Sequence, residues 1–262
     1  MGAKTDQILG RGKQRWGAIT GKKKTKNNSF GTDRDLRRAL VRKGRVRMAW
    51  GIGVALLLSV SAGACGSSGS SATSVVPATG EVAGEGYGYW LQRSWQTWFS
   101  TSGAPKPCDT LTANGQTVGY LTPRPDTTTA SYTCSEPTGR PLYVTQPASE
   151  CSTFESDHGT LGTSDQQLTQ CARARFKNSA TQLSTTVDGH TVDVGKLLAA
   201  TGVYPVQAVS GNVLGFRPGS GRSAAYGSGL LLTGLAKGTH VIHSVGSQET
   251  QPFDDTFTVQ VQ

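Results

Sequence analysis

Leu183-Ser-Thr-Thr-Val187, Asp188-Gly189, His190-Thr-Val192-Asp-Val194 is a pair of alternating runs joined by two residues. Asp-Gly accepts the positive φ angles that a two-residue hairpin turn demands, so the stretch predicts two antiparallel strands with a tight turn. Asn114-Gly115 repeats the signal between Leu111-Thr-Ala and Gln116-Thr-Val118-Gly-Tyr120-Leu. Further strands are expected at Ser131–Cys134, Leu142–Thr145, Val206–Val209, Gly229–Thr233 and His240–Val245. The chain closes on Thr256-Phe257-Thr258-Val259-Gln260-Val261, where Phe257, Val259 and Val261 alternate onto one face. Between these signals, Arg217–Gly229 reads as a glycine-rich loop.

Two segments carry the helical period instead. In Trp90-Leu-Gln-Arg-Ser-Trp95-Gln-Thr-Trp98-Phe99, the residues Leu91, Trp95, Trp98 and Phe99 recur at i, i+4, i+7 and i+8. Three tryptophans so close invite a sugar platform, but an aromatic face buried on a sheet is the simpler use. Ser164-Asp-Gln-Gln167 reads as a capping box, followed by a face of Leu168, Cys171, Ala172 and Phe176. Short strands, Gly/Pro turns and two helices predict a mainly β protein. The expected fold is an antiparallel β-sandwich, jelly-roll or immunoglobulin-like, with an N-terminal amphipathic helix and one further short helix.

The chain has 262 residues, but its composition is not uniform. Residues 1–47 carry 15 Lys/Arg and 3 Asp/Glu, whereas the remainder carries 11 and 14. The formal net charge of +9 therefore belongs to the leader, and the rest is mildly acidic. Nucleic-acid binding needs a basic face on the folded domain, and this sequence offers none. After the basic leader, Met48–Ala64 is an apolar run ending in small residues and Cys65. Its 17 residues, five of them Gly or Ser, are short for a membrane span of about 20 and fit a signal peptide.

The run with its cysteine resembles the lipobox of bacterial lipoproteins. That resemblance implies cleavage before Cys65, a diacylglycerol on its sulfur and anchorage on the outer face of the cytoplasmic membrane, with simple secretion as the alternative. The long basic leader has four readings: an extended cytoplasmic n-region, a later start at Val41, a functional basic tail, or twin-arginine export through Arg37-Arg38-Ala39-Leu40-Val41. Four segments follow: the basic leader 1–47, the signal 48–64, a lipidated Cys65 with a Gly/Ser-rich tether to 86, and one domain over 87–262.

Five cysteines in an exported chain leave one over, and lipidation of Cys65 accounts for it. Cys108, Cys134, Cys151 and Cys171 then allow three connectivities. Sequential pairing, Cys108–Cys134 and Cys151–Cys171, closes the shortest loops, each worth about 3 kcal/mol of denatured-state entropy. Zinc is the competing use, but no Cys-x-x-Cys pair supports it.

Several of these motifs recur together. Cys108, a strand at Tyr120, Cys134, Pro141-Leu-Tyr-Val and Glu150-Cys151-Ser152-Thr153 with Glu155 follow the Trp-rich helix. Cys171-Ala172, Val187-Asp188-Gly189 and Leu235-Ala-Lys-Gly238-Thr-His240-Val-Ile-His243 complete the order. The whole resembles a family of uncharacterised secreted bacterial proteins, mainly actinobacterial, with a Glu-Cys-Ser motif and a Gly-x-His-x-Ile-His strand. Ser149 stands where that pattern has Asn. The resemblance implies a fold and an extracellular location but brings no activity.

The chemistry-bearing residues are sparse. His240 and His243 fall on opposite faces of a strand, which argues against a shared metal, and no metal or cofactor is expected. His190 follows a turn, and His158 reads as a loop histidine. Glu150, Glu155 and Asp157 form the densest acidic cluster, most simply a solvated loop. Nucleotide-binding and nucleophile-elbow motifs are absent from the sequence, so an enzyme has no positive support.

The leading expectation is a non-catalytic envelope module binding a ligand, glycan or protein. Tyr89, Trp90, Arg217 and Tyr226 would line a groove between helix and sheet, with Glu150 and Glu155 as further contacts. The alternatives are a hydrolase using Glu150, Glu155 or Asp157 with a histidine, and a purely structural protein. Partners therefore reduce to the membrane, through the lipid, and an envelope glycan or protein. Oligomeric state is open.

Overall fold

A computed structural model describes residues 73–125, 127–158, 163–248 and 251–262. The leader, the signal, Cys65 and most of the tether lie outside the described residues, as do the side chains of Asp157 and His158.

The strands run β1 (Ser74–Val75), β2 (Cys108–Ala113), β3 (Gln116–Leu121), β4 (Thr129–Glu136), β5 (Leu142–Ser152) and β6 (Ala180–Val187). They continue with β7 (His190–Val192), β8 (Leu198–Ala200), β9 (Tyr204–Ala208), β10 (Gly219–Thr233), β11 (Gly238–Gln248) and β12 (Gln251–Val261). Helix α1 covers Tyr87–Ser100 and α2 covers Asp165–Ser179. A seven-stranded sheet has the order β1-β10-β5-β3-β2, with β8 and β9 also on β10. A five-stranded sheet has the order β4-β12-β11-β6-β7.

Both hairpins form as their turn residues demand. Asn114 and Gly115 have φ of 48° and 76°, and Asp188 and Gly189 have 51° and 78°. Positive φ at both central residues is the turn whose twist matches the flanking strands. The pairing is not wholly antiparallel: β3 runs parallel to β5, and β4 runs parallel to β12. Both parallel neighbours are distant enough in sequence for their chains to cross over.

One core cluster joins the two sheets. Leu142, Val144 and Leu230 from the larger sheet meet Val187, Ile242, Phe257 and Val259 from the smaller. The larger sheet is covered on its other face as well. Helix α1 lays Leu91, Trp95, Trp98 and Phe99 against Ala148, Tyr204, Val206 and Ala225. Burying each such side chain contributes about 1.5–3 kcal/mol.

Beyond the sandwich, Leu168 and Ala172 of α2 pack on Cys151 and Ala224. Ala224 and Ala225 are successive, so the two helices sit on opposite faces of β10. This is why β5 is buried along nearly all its length. Ser164 caps α2 as expected, its hydroxyl accepting from the Gln167 N–H while the Gln167 side chain accepts from the Ser164 N–H.

The segment read as a glycine-rich loop is instead most of β10, the longest strand of the larger sheet. Glycine is a poor strand former, and the loop expectation rested on that. Here the glycines make room. A Cβ on Gly227 would meet the Ala148 Cα at 2.4 Å, one on Gly229 would meet the Tyr143 ring at 2.7 Å, and one on Gly221 would meet Phe154 at 2.7 Å. Close approach of neighbouring groups is the usual reason for glycine inside a strand.

The disulfides pair as the shortest loops predict. Cys108–Cys134 ties β2 of one sheet to β4 of the other, and Cys151–Cys171 ties β5 to α2. Two disulfides are the chemistry of an oxidising environment. Among the described residues no helix is long and apolar enough to cross a membrane.

Candidate functional site

The acidic cluster is not a solvated loop. Strand β5 continues through Ser152 because Ser149–Ser152 pair with Ser223–Tyr226 of β10. Glu150 is thereby only 3% exposed. Glu155 follows on a short 3-10 turn, Thr153–His158, and is also buried.

Each acid is held by specific partners. The Ser223 hydroxyl donates to Glu150 Oε2 at 2.7 Å and also reaches the Cys151 carbonyl at 3.2 Å. Arg175 of α2 donates to both carboxylate oxygens of Glu155, at 2.9 and 2.8 Å, and to the Glu150 carbonyl at 2.7 Å. Loss of solvent pushes the Glu150 carboxyl up to about 8, helped by the neighbouring Glu155 charge and a hydrogen bond with it, and opposed by Ser223 and Arg175. Burial thus favours the neutral form of Glu150, which hydrogen-bonds Glu155 and accepts from Ser223.

The arrangement closes a sheet edge. Strand β3 pairs with β5 only through Leu142–Val144. Farther along, Arg175 donates to the Glu150 carbonyl and Gln248 Nε2 donates to the Ala148 carbonyl at 2.8 Å. Carbonyls two residues apart point to one edge of a strand, so these two side chains stand in for a missing neighbour. Tyr204 is buried beside the same acid, and among the described residues the buried Ser149 and Ser152 hydroxyls of this strand meet no hydrogen-bond partner. Burial pushes the Tyr204 phenol well above its ordinary value, Ser223 opposing and Glu150 adding to it.

The histidines are elsewhere. His240 is buried in β11 of the smaller sheet, its Nδ1 2.7 Å from Asp188 Oδ2 and its Nε2 2.9 Å from the Ala236 carbonyl. Burial works against a charge on His240, but the bonds to Asp188 and Ala236 prevail and raise its pKa. His243 pairs with Asp254 at 2.8 Å, and His190 is exposed beyond the turn. None of these three meets Glu150 or Glu155 in a hydrogen bond. The sulfurs of Cys151 and Cys171 lie near the Glu155 carboxylate, but they are bonded to each other and so are not ligands.

The expected aromatic groove is not assembled. Trp90 is fully buried, stacked on Tyr143 with its indole N–H given to the Glu85 carbonyl, because the helical stripe turns it into the core. Tyr89 packs edge-on against Trp90 and is half-buried. Tyr226 belongs to a different cluster, edge-on to Phe176 with Arg173 over its ring at 4.9 Å. Arg217 is exposed on the loop before β10.

A concave site is present at a place the sequence did not flag. It opens between the two sheets as a small cleft with a cavity volume of about 20 Å³. Pro123, Pro147, Phe253 and Phe257 supply apolar walls. Thr145, Gln146, Ser244, Gln248 and Asp255 supply polar groups. Gln146 and Ser244 belong to a buried network: Gln146 Nε2 donates to Ser244 at 3.1 Å, and Thr185 donates to Gln146 Oε1 at 2.8 Å. Strand β12 begins at Gln251, five residues before the expected Thr256, and its alternation puts Phe253 and Asp255 on the face of Phe257.

No protein-family model matches the chain, and no curated protein is similar to it. Among solved structures, the solution structure of Amebosin aligns at 16% identity with a TM-score of 0.17, covering 51% of this chain and 96% of that one.

Proposed function

We propose that this chain is a lipid-anchored, non-catalytic module of the bacterial envelope that binds a small ligand, or one unit of a glycan or protein, between its two sheets. The pocket of Pro123, Pro147, Phe253 and Phe257 around Gln146, Ser244 and Asp255 carries the reading. A concavity with apolar walls and a few fixed polar groups is the usual form of a ligand site. Its polar groups are immobilised by the Gln146–Ser244–Thr185 network, so binding would cost little ordering.

The anchored, extracellular part of the reading rests on the signal ending at Cys65, on the Gly/Ser tether and on the two disulfides. The resemblance to secreted actinobacterial proteins agrees with it. The finer description of the fold belongs here too. We read the sandwich as immunoglobulin-like or jelly-roll in kind, with two parallel neighbours replacing a wholly antiparallel order.

Co-sedimentation with cell-wall fragments tests binding. Wild type should be retained, and Phe253→Ala should lose retention while keeping its fold. Equal retention of the two would place any binding surface outside this pocket.

A hydrolase is the second reading, and Glu150 is the observation behind it. A buried acid held neutral to about 8 with a serine on its carboxyl is the kind of group that active sites use. Its partners, however, are those of a closed sheet edge. Turnover lost in Glu150→Gln at unchanged stability would favour this second reading.

A further inference from the structure

The strand edges of this fold are not treated alike. Strand β9 carries a proline, Pro205, and helix α1 covers its outward groups. Gln96 Nε2 donates to the Pro205 carbonyl at 3.1 Å, and the Val209 N–H donates to the Phe99 carbonyl at 3.1 Å. Along β2, the outward Thr110 N–H is taken at 2.8 Å by the carboxylate of Asp109. Arg175 and Gln248 cap the free stretch of β5, and β1, β7 and β8 are three residues long or less. Each of these withholds an edge from another chain.

Strand β4 has none of these devices. Its eight residues pair with β12 alone. The carbonyls of Thr128 and Glu136 accept from the N–H groups of Asp254 and Gln262, which turns the even-numbered residues toward β12. The N–H and C=O groups of Thr129, Ser131, Thr133 and Ser135 therefore point out of the sheet edge, and their side chains are exposed. The Cys108 sulfur lies 3.5 Å from the Thr133 carbonyl, an oxygen that keeps a second lone pair. No Pro, Lys, Arg or Asp interrupts the strand. Its one charged residue, Glu136, is buried and met by Arg140 at 3.0 Å.

The geometry points to a second copy of this chain as the occupant of the β4 edge, its own β4 lying antiparallel. Pairing about a two-fold axis at Tyr132 sets Thr129 opposite Ser135 and Ser131 opposite Thr133, so every outward residue is matched. The facing side chains are hydroxyls, which stabilise such pairs, and no like charges meet. On the other face the two Tyr132 rings, each half-buried and stacked on Phe257 at 5.0 Å, approach one another at the axis. A charged strand would repel its own copy in this register, and β4 does not.

The test uses the full chain with Cys65→Ala. In sedimentation equilibrium its mass should rise with concentration to twice that of the monomer. Thr133→Lys places like charges on diagonal neighbours across the axis and should weaken association about tenfold at an unchanged unfolding midpoint. Thr258→Lys, one strand inward on the same face, should leave association as it is. Cysteine cross-linking reads the register, since the new cysteine is then the one free thiol. Ser131→Cys copies mixed with Thr133→Cys copies should form a disulfide dimer, their Cα atoms being about 5.5 Å apart. Either variant alone should not, because its cysteines would stand diagonally at about 7–8 Å. A monomer at millimolar concentration overturns the proposal, and so does a dimer that Thr133→Lys leaves intact. Either cysteine variant cross-linking alone as fast as the mixture overturns the two-fold register. A monomer whose Ser131 and Thr133 amides gain exchange protection from cell-wall fragments overturns the second copy and assigns the edge to a foreign strand.

Discussion

Replacing Glu150 by Gln should make the protein more stable, and increasingly so as pH rises. The folded-state carboxyl titrates at about 8 against an ordinary value of 4.5. The folded protein thus keeps a proton that the unfolded chain releases between those two values. Stability contributed by this group is complete below pH 4.5, falls as pH rises through the window and levels off above 8. Each pH unit inside the window corresponds to about 1.4 kcal/mol, so holding Glu150 neutral at pH 7 costs about 3 kcal/mol. Glutamine removes the titration while preserving both contacts. Its carbonyl accepts from Ser223, and its amide donates to Glu155 where the acid proton did. Urea unfolding of wild type and Glu150→Gln from pH 5 to 9 measures the effect. The difference between them should widen by about 1.4 kcal/mol per unit and become flat above 8. A difference independent of pH would show that Glu150 is ionised in the fold and that the account of this cluster is wrong.

Removing the other half of the cluster should act in the opposite direction. Arg175→Met takes the cation from a buried Glu155 and a donor from the Glu150 carbonyl, and should lower unfolding stability by about 3–5 kcal/mol. Replacing both Cys151 and Cys171 with Ala should cost about 3 kcal/mol, read from denaturant unfolding, and should loosen α2 before the sandwich in hydrogen exchange. Cys65→Ala should move the protein from the membrane to the medium on cell fractionation, since stable anchoring depends on acyl chains.

Local rules made much of the scaffold readable. Asn114-Gly115 and Asp188-Gly189 fixed two hairpins because their turn type restricts the residues so strongly. The aromatic stripe of α1 and the Ser164 capping box were equally plain, and sequential cysteine pairing followed from loop length. Strand β10 was missed because its glycines answer to neighbours remote in sequence, Ala148 and Tyr143 among them. The same blindness hid Glu150. A Glu-Cys-Ser run between polar residues looks solvated until β10 and α2 cover it.

The candidate groove failed for a related reason. Sequence spacing shows that Trp90 and Tyr226 are aromatic, and only the topology shows that one is core and the other packs under Arg173. The pocket draws its walls from the β3–β4 connection, β5, β11 and β12, so no single window of sequence contains it.

Hydrogen exchange of the full Cys65→Ala chain with and without cell-wall fragments tests the central claim most directly. Binding between the sheets predicts slowed exchange confined to Thr145–Ala148, Ser244–Gln248 and Phe253–Phe257, with α1 and α2 unchanged. Protection centred on either helix, or none at saturating fragment, would contradict it.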